Sequence, residues 1–145
     1  MLGILEMRAT SSLAAPFSTP AIFRVALLLL CSAYLQGGIG KLANFQGAIG
    51  EMQHFGLAPA APFAMAVIAL ELGASLAILL GFWRWLGALA LALFTLGATF
   101  IANRFWEMPQ SERFMAMNGF FEHLGLVGGF LLVAWYDLRA RLASD

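Results

Sequence analysis

Four transmembrane α-helices packed as one all-α bundle are what this sequence predicts, on three observations. Hydrophobic residues make up 61% of the 145 positions, while charged residues make up only 11%. A soluble domain carries roughly 45–50% apolar and about 25% charged residues. Four apolar runs, each near the ~20 residues a helix needs to cross ~30 Å of hydrocarbon, follow one another along the chain. Turn and interface signals separate the runs. With a mean hydropathy of +0.84, the chain could not cover a water-facing surface of ordinary polarity, so its solvent is a lipid bilayer.

The first run covers 21–42 and contains Val25-Ala26-Leu27-Leu28-Leu29-Leu30. The second covers 62–81. It opens at Pro62, a residue suited to a first helical turn because its missing N–H has no partner to lose. Gly81 closes it, and Phe82-Trp83-Arg84-Trp85 forms a short interfacial turn. The third run covers 85–105. The polar stretch 107–113, with Pro109 inside it, reads as a loop. The fourth run covers 118–136 and leaves the membrane at Trp135-Tyr136-Asp137. Strands are excluded because the runs are long, rich in Leu and Ala, and do not alternate. Backbone groups in lipid must be satisfied internally, which leaves helices. The expected organisation is a tail over 1–20, a four-helix domain over 21–136 and a second tail over 137–145. The N-terminus lacks a basic segment leading directly into an apolar core, so it is read as a tail rather than a cleaved signal.

Lys and Arg placement orients the bundle. With both termini cytoplasmic, the inner side holds Arg8, Arg24, Arg84, Arg139 and Arg141, and the outer side holds Lys41, Arg104 and Arg113. The longest connection, 43–61, then lies outside. Small residues at four-residue spacing (Ala33 and Gly37, Gly73 and Ala77, Gly125 and Gly129) permit close helix approach. Packing within the bundle is their first use and a homo-oligomer the alternative.

Ionisable residues inside a span are costly and mark candidate sites. Glu71 lies near the middle of the second run and should face the bundle interior, either protonated or paired. Lys41 closes the first run, Asn103 and Arg104 close the third, and Asn118, Glu122 and His123 open the fourth. All fall in the same half of the bilayer. The candidate ligand-binding residues are therefore Glu71, Lys41, His123, Glu122, Asn103 and Arg104. Lys41 and Arg104 have stems long enough to reach inward or to snorkel outward. The sequence shows no HExxH, no paired Cys/His metal spacing, no GxGxxG and no P-loop, so no metal site is expected and no enzymatic activity is assigned. Zero net charge gives no pointer to nucleic acid. The single cysteine, Cys31, cannot form an internal disulfide or a CxxC pair.

Several segments resemble the DoxX family of small bacterial membrane proteins. Arg24 opens the first helix, and Gly37-Gly38-Ile39-Gly40-Lys41-Leu42 closes it like the family's Gly-x-x-Lys-Leu. His54-Phe55-Gly56-Leu57-Ala58-Pro59 resembles its Gly-hydrophobic-x-Pro turn. Glu71-Leu72-Gly73-Ala74, Leu79-Leu80-Gly81 and Arg84 resemble its Glu-x-Gly, Leu-Leu-Gly and Arg series. Phe105-Trp106 and Asn118 follow in order, and Leu124-Gly125-Leu126-Val127-Gly128-Gly129-Phe130-Leu131-Leu132 resembles its closing Gly-Gly-x-Leu-Leu helix. Glu122-His123 departs from the Lys-Asn pair that many members carry. The resemblance implies a four-helix bundle in the bacterial inner membrane. It also implies an association with quinone-dependent oxidation or membrane oxidoreductase assemblies. The leading expectation is an accessory subunit that binds a quinone-like molecule or anchors a soluble oxidoreductase partner. The alternatives are a small-solute or proton-coupled transporter subunit and a non-catalytic scaffold.

Overall fold

The computed structural model describes residue 14 and residues 17–144. The N-terminal tail through residue 13, Arg8 included, lies outside the described residues. The described residues form five helical elements: α1 (Pro20–Ala43), α2 (Phe45–His54), α3 (Ala60–Leu80), α4 (Arg84–Ala102) and α5 (Gln110–Leu142). Four of them, α1, α3, α4 and α5, are long and apolar enough to cross a membrane. They run alternately up and down in the ring order α1, α3, α4, α5. α1 packs on α3, α3 on α4 and α4 on α5. α1 and α5 meet lightly, through Leu30 against Gly129 and Phe23 beside Tyr136.

The elements begin and end for identifiable reasons. Thr19 accepts a hydrogen bond from the Ile22 N–H at 3.4 Å, and Pro20 occupies the first turn of α1. Gly81 ends α3 with φ +79°, a left-handed conformation that favours a residue without a Cβ. Three helical stretches were not expected. The connection 43–61 contains α2, whose start is capped by the Asn44 side chain accepting from Gly47 N–H at 3.0 Å. Phe45, Ala48, Ile49 and Met52 line one face of α2, and Ala48 and Met52 are buried against Ala64 of α3. The low hydropathy of Phe45–His54 hides this amphipathic pattern. The expected loop 107–113 is also partly helical, because α5 starts at Gln110, directly after Pro109. Gln, Glu and Arg form helix well, and Glu112 in the first turn complements the helix dipole. Likewise, α5 continues through the expected tail to Leu142.

Packing fixes the membrane-spanning portion of α5. Gly119 sits against Asn103 at the end of α4, and Asp137 accepts from the Trp85 N–H at the start of α4. The 19 residues 119–137 therefore match the length of α4, about 28 Å at 1.5 Å per residue, and 110–118 overhangs the bundle. Phe100, Phe105, Trp106 and Phe120 form an aromatic cluster at this end. Phe82, Trp83 and Trp135 are exposed at the other, so both ends carry the rings that favour a membrane–water boundary. Leu28, Leu29, Leu80, Leu93 and Leu132 are exposed along the outside, as a lipid-facing surface requires. The core runs through Leu27, Cys31, Tyr34, Ile78, Leu91 and Phe130.

Asp137 closes the end where the α3–α4 turn lies. It is buried, and it faces Arg84 at 3.5 Å and Arg141 at 2.9 Å as well as the Trp85 N–H at 3.3 Å. Arg84 also donates to the Ile78 carbonyl at 2.9 Å. One carboxylate thus caps α4 from a different helix and pairs with two guanidinium groups. Asp137→Ala should lower stability by about 2 kcal/mol, between the ~1 kcal/mol of a lost cap and the ~3–5 kcal/mol of a broken buried pair. Asp137→Asn keeps an acceptor for Trp85 and should lose less. Thermal unfolding of the detergent-solubilised variants checks the order.

Candidate functional site

The helices give the α2 end of the bundle a hollow interior. At the other end α3 and α4 are pinned together: a Cβ built on Gly87 would lie 2.8 Å from the Ala74 carbonyl oxygen. Nearer the α2 end, residues of both helices face a cavity instead. It lies between them and α1 and holds about 540 Å³, within the ~300–1,000 Å³ range of small-molecule sites. Phe63 and Val67 of α3, Phe94 and Ala98 of α4, and Leu126 of α5 supply apolar wall, and Met52, Phe55 and Leu57 in and after α2 roof it. Phe63, Leu93 and Ile101 also line the cavity, and all three are exposed on the apolar outer surface. The cavity is therefore open to the outer surface on the side of α3 and α4.

Glu71 is the twelfth residue of α3 and only 6% exposed. Both its carboxylate oxygens accept from Lys41 Nζ at 3.3 Å. Lys41 comes from the C-terminal end of α1, and helical side chains lean toward the N-terminus. Its ammonium therefore hangs back into the bundle rather than out to water. Gly37, one turn earlier, leaves room for it: a Cβ there would lie 3.5 Å from both Lys41 Nζ and Glu71 Oε2. Glu51 on α2 reaches the same ammonium from the water side at 3.9 Å and is itself half-exposed. Lys41 is thus shared by a buried carboxylate below and an exposed one above.

A second polar group faces the cavity from α4 and α5. His123 lines the cavity, and its Nδ1 lies 2.8 Å from Thr99 Oγ1 and 3.2 Å from the Asn103 amide nitrogen. Thr99 donates to the Thr95 carbonyl at 2.7 Å, and Thr95 donates to the Leu91 carbonyl at 2.6 Å. Tyr34 of α1 shares a hydrogen bond with Thr95 across the floor of the cavity. Hydroxyls that bond the preceding turn satisfy themselves inside an apolar helix, which is how two threonines are tolerated at this depth.

The geometry sorts the six expected site residues. Lys41, Glu71 and His123 line one cavity, and Asn103 holds His123 from behind. The other two of the six do not reach the cavity. Arg104 is exposed and pairs with Glu107 at 3.0 Å, because the chain has already left α4 and the side chain snorkels to the aqueous edge. Glu122 is exposed on α5; its neighbour His123 takes the inward position, since adjacent helical residues point about 100° apart. Neither Arg104 nor Glu122 lines the cavity.

The pattern of the family named DoxX matches residues 19–104. The chain belongs to the DoxX family. The matched region holds Lys41, Glu71, Thr95, Thr99 and Asn103, so the family pattern covers α1 to α4 and ends short of His123. Inner membrane protein YphA of Escherichia coli (strain K12) is 25% identical over 115 residues, covering 79% of this chain and 82% of that relative. No solved structure matches the chain. In this DoxX-family chain, sequence reasoning passed over Tyr34, Thr95, Thr99 and the contact role of Glu51. A signal existed for the threonines, since Thr95 and Thr99 sit at i and i+4 in an apolar helix. Tyr34, Gly37, Gly38 and Lys41 likewise share a helical face. The reach of Glu51 was hidden because α2 itself was.

Proposed function

We propose that the protein is an accessory, quinone-interacting subunit of a membrane oxidoreductase system. It would sit in the bacterial inner membrane with both termini cytoplasmic. The observation that carries this reading is the cavity: an apolar chamber open to the outer surface on the side of α3 and α4, with an ion pair on one wall and an imidazole on another. A molecule that enters from lipid and carries a polar ring needs that combination. The apolar walls Phe63, Phe94 and Leu126 would hold the ring and the start of a prenyl tail, while Glu71 with Lys41 and His123 would meet the two ring oxygens. The Lys and Arg bias supports an outward-facing α2 end, and the inner-membrane relative supports the compartment. Cys31, the one cysteine, is buried in the core and does not line the cavity, so a soluble partner would supply any thiol chemistry.

Gly97 provides the test. It lines the cavity mouth, and a Cβ there meets nothing within 4 Å, so a large side chain can be accepted without disturbing helix packing. Protein stripped of lipid and returned to nanodiscs should gain thermal stability when a short-tailed benzoquinone is added. Gly97→Phe should keep the unliganded melting temperature and lose that gain. A quinone that leaves the wild-type protein unchanged, with none extractable from freshly purified material, overturns the reading.

A further inference from the structure

The cavity has more hydrogen-bond acceptors to offer than donors. Hydrogen positions follow from counting the protons each group owns. Thr95 has one hydroxyl proton and gives it to the Leu91 carbonyl at 2.6 Å. The hydrogen bond between Tyr34 and Thr95 must then use the Tyr34 proton. Thr99 gives its proton to the Thr95 carbonyl at 2.7 Å. The 2.8 Å contact between Thr99 and His123 Nδ1 therefore uses an Nδ1–H, with Thr99 accepting. The Asn103 amide nitrogen stands 3.2 Å from Nδ1; because two N–H groups cannot bond each other, the amide is assigned the reverse orientation, with its oxygen accepting from Nδ1–H. In this tautomer Nε2 of His123 carries a lone pair and no proton, and no described residue partners it. On the other wall, Lys41 donates to both Glu71 oxygens at 3.3 Å, and its remaining N–H faces the Glu51 carboxylate 3.9 Å away, an ion pair rather than a hydrogen bond. A carboxylate has about four acceptor positions, so Glu71 keeps open lone pairs after both contacts.

The two walls thus present the same polarity to a ligand. Glu71 on α3 and His123 on α5, two helices that are not neighbours in the ring, each wait for a donor. Two carboxylates around one ammonium also leave the Glu51–Lys41–Glu71 group with one excess negative charge. A quinone brings only carbonyl acceptors. A hydroquinone brings two hydroxyl donors on opposite sides of its ring.

Resting on the quinone reading above, we propose that the cavity selects the reduced, hydroquinone form of its ligand over the oxidised form. One hydroxyl donates to the Glu71 carboxylate and the other to His123 Nε2. No electron or proton transfer is needed for this discrimination; it is a difference in binding. Linkage gives it a redox consequence. Tighter binding of the reduced form makes the bound couple easier to reduce. Each tenfold preference raises the two-electron midpoint potential by about 30 mV.

The test uses the full-length protein in nanodiscs, with a decyl-substituted benzoquinone and its chemically reduced hydroquinone under anaerobic conditions. Empty nanodiscs correct for partition into lipid. The hydroquinone should bind at least tenfold more tightly. Potentiometric titration of the bound couple should place its midpoint at least about 30 mV above that in empty discs. Both readouts use the unaltered chain, so neither depends on a variant folding. Equal affinities with an unshifted midpoint, or tighter binding of the oxidised form, would overturn the preference while leaving the quinone site in place. Binding of neither form above the empty-disc control would overturn the quinone reading itself.

Discussion

Replacing Glu71 with Gln is expected to lower the unfolding free energy of the solubilised protein by about 3 kcal/mol, near the lower end for breaking a buried ion pair. The cost arises from Lys41, whose ammonium stays inside the bundle with only 16% exposure after its main partner is removed. Glu51 at 3.9 Å keeps the loss from being larger. Lys41→Met should cost more, about 4 kcal/mol, because no second cation among the described residues pairs with Glu71. The double substitution Lys41→Met with Glu71→Leu should recover most of the loss, since apolar residues of similar volume replace a buried pair at little net cost. Denaturant or thermal unfolding of the unaltered protein, Lys41→Met, Glu71→Leu and the double variant gives the cycle. A double variant less stable than either single one would contradict the argument. The recovered double variant also separates folding from binding, because it should stay folded and lose the quinone response.

Gly87→Val should be the most damaging substitution among the described glycines, with a loss of about 3 kcal/mol or more from overpacking. Its Cβ would meet the Ala74 carbonyl oxygen at 2.8 Å, and backbone cannot rotate aside as a side chain can. Ala77 Cβ and Ile78 Cγ1 stand at 3.3 and 3.2 Å on the same side, so α3 and α4 must separate. Gly38→Ala meets Leu72 Cγ at 2.7 Å. A leucine can change rotamer, so about 1–2 kcal/mol is expected there. Gly97→Ala meets nothing and should stabilise α4 by up to about 1 kcal/mol through helix propensity. Melting temperatures of the three variants should rank 97 above 38 above 87. The loss at 87 should also close or distort the cavity, since that contact pins α3 to α4, two of the helices that line it.

The four spans were legible because lipid imposes one rule on every residue within them. Length and hydropathy alone located α1, α3 and α4 to within a few residues, apart from the end of α4. That helix stops at Ala102, before the polar Asn103-Arg104 pair. The fold class, the bundle and the family resemblance all follow from that rule and from ordered short motifs. Elements outside the hydrocarbon were less visible. α2 is amphipathic and contains two glycines, and its apolar face makes sense only once Ala64 is known to lie beneath it. The overhanging start of α5 reads as polar loop because hydropathy ignores helix propensity.

The site was legible where charge met depth and obscure where it depended on direction. Glu71 and Lys41 stood out as costly residues in the same half of the bilayer. Which of Glu122 and His123 faces inward depends on the rotation of α5, fixed by contacts such as Phe130 in the core and Gly129 against Leu30. Asp137 looked like the start of a tail. It is instead a buried acceptor for α4, a role visible only when the two helices are side by side. Of the Gly125–Gly129 pair, Gly129 packs against Leu30 of α1, while Gly125 has nothing within 4 Å of a built Cβ, so only one of the two small residues serves a contact within this bundle.

Photolabelling in the native bilayer reads out the central arrangement most directly. A benzoquinone bearing a photoreactive group, activated in membranes and followed by peptide mapping, should attach to the α3 segment around Phe63 and Val67 and to the α4 segment around Leu93 and Ile101. Gly97→Phe should abolish both adducts. Adducts confined to the outer face of α5 around Leu131 and Leu132, unchanged by Gly97→Phe, would show that the chamber between α3 and α4 does not receive the ligand.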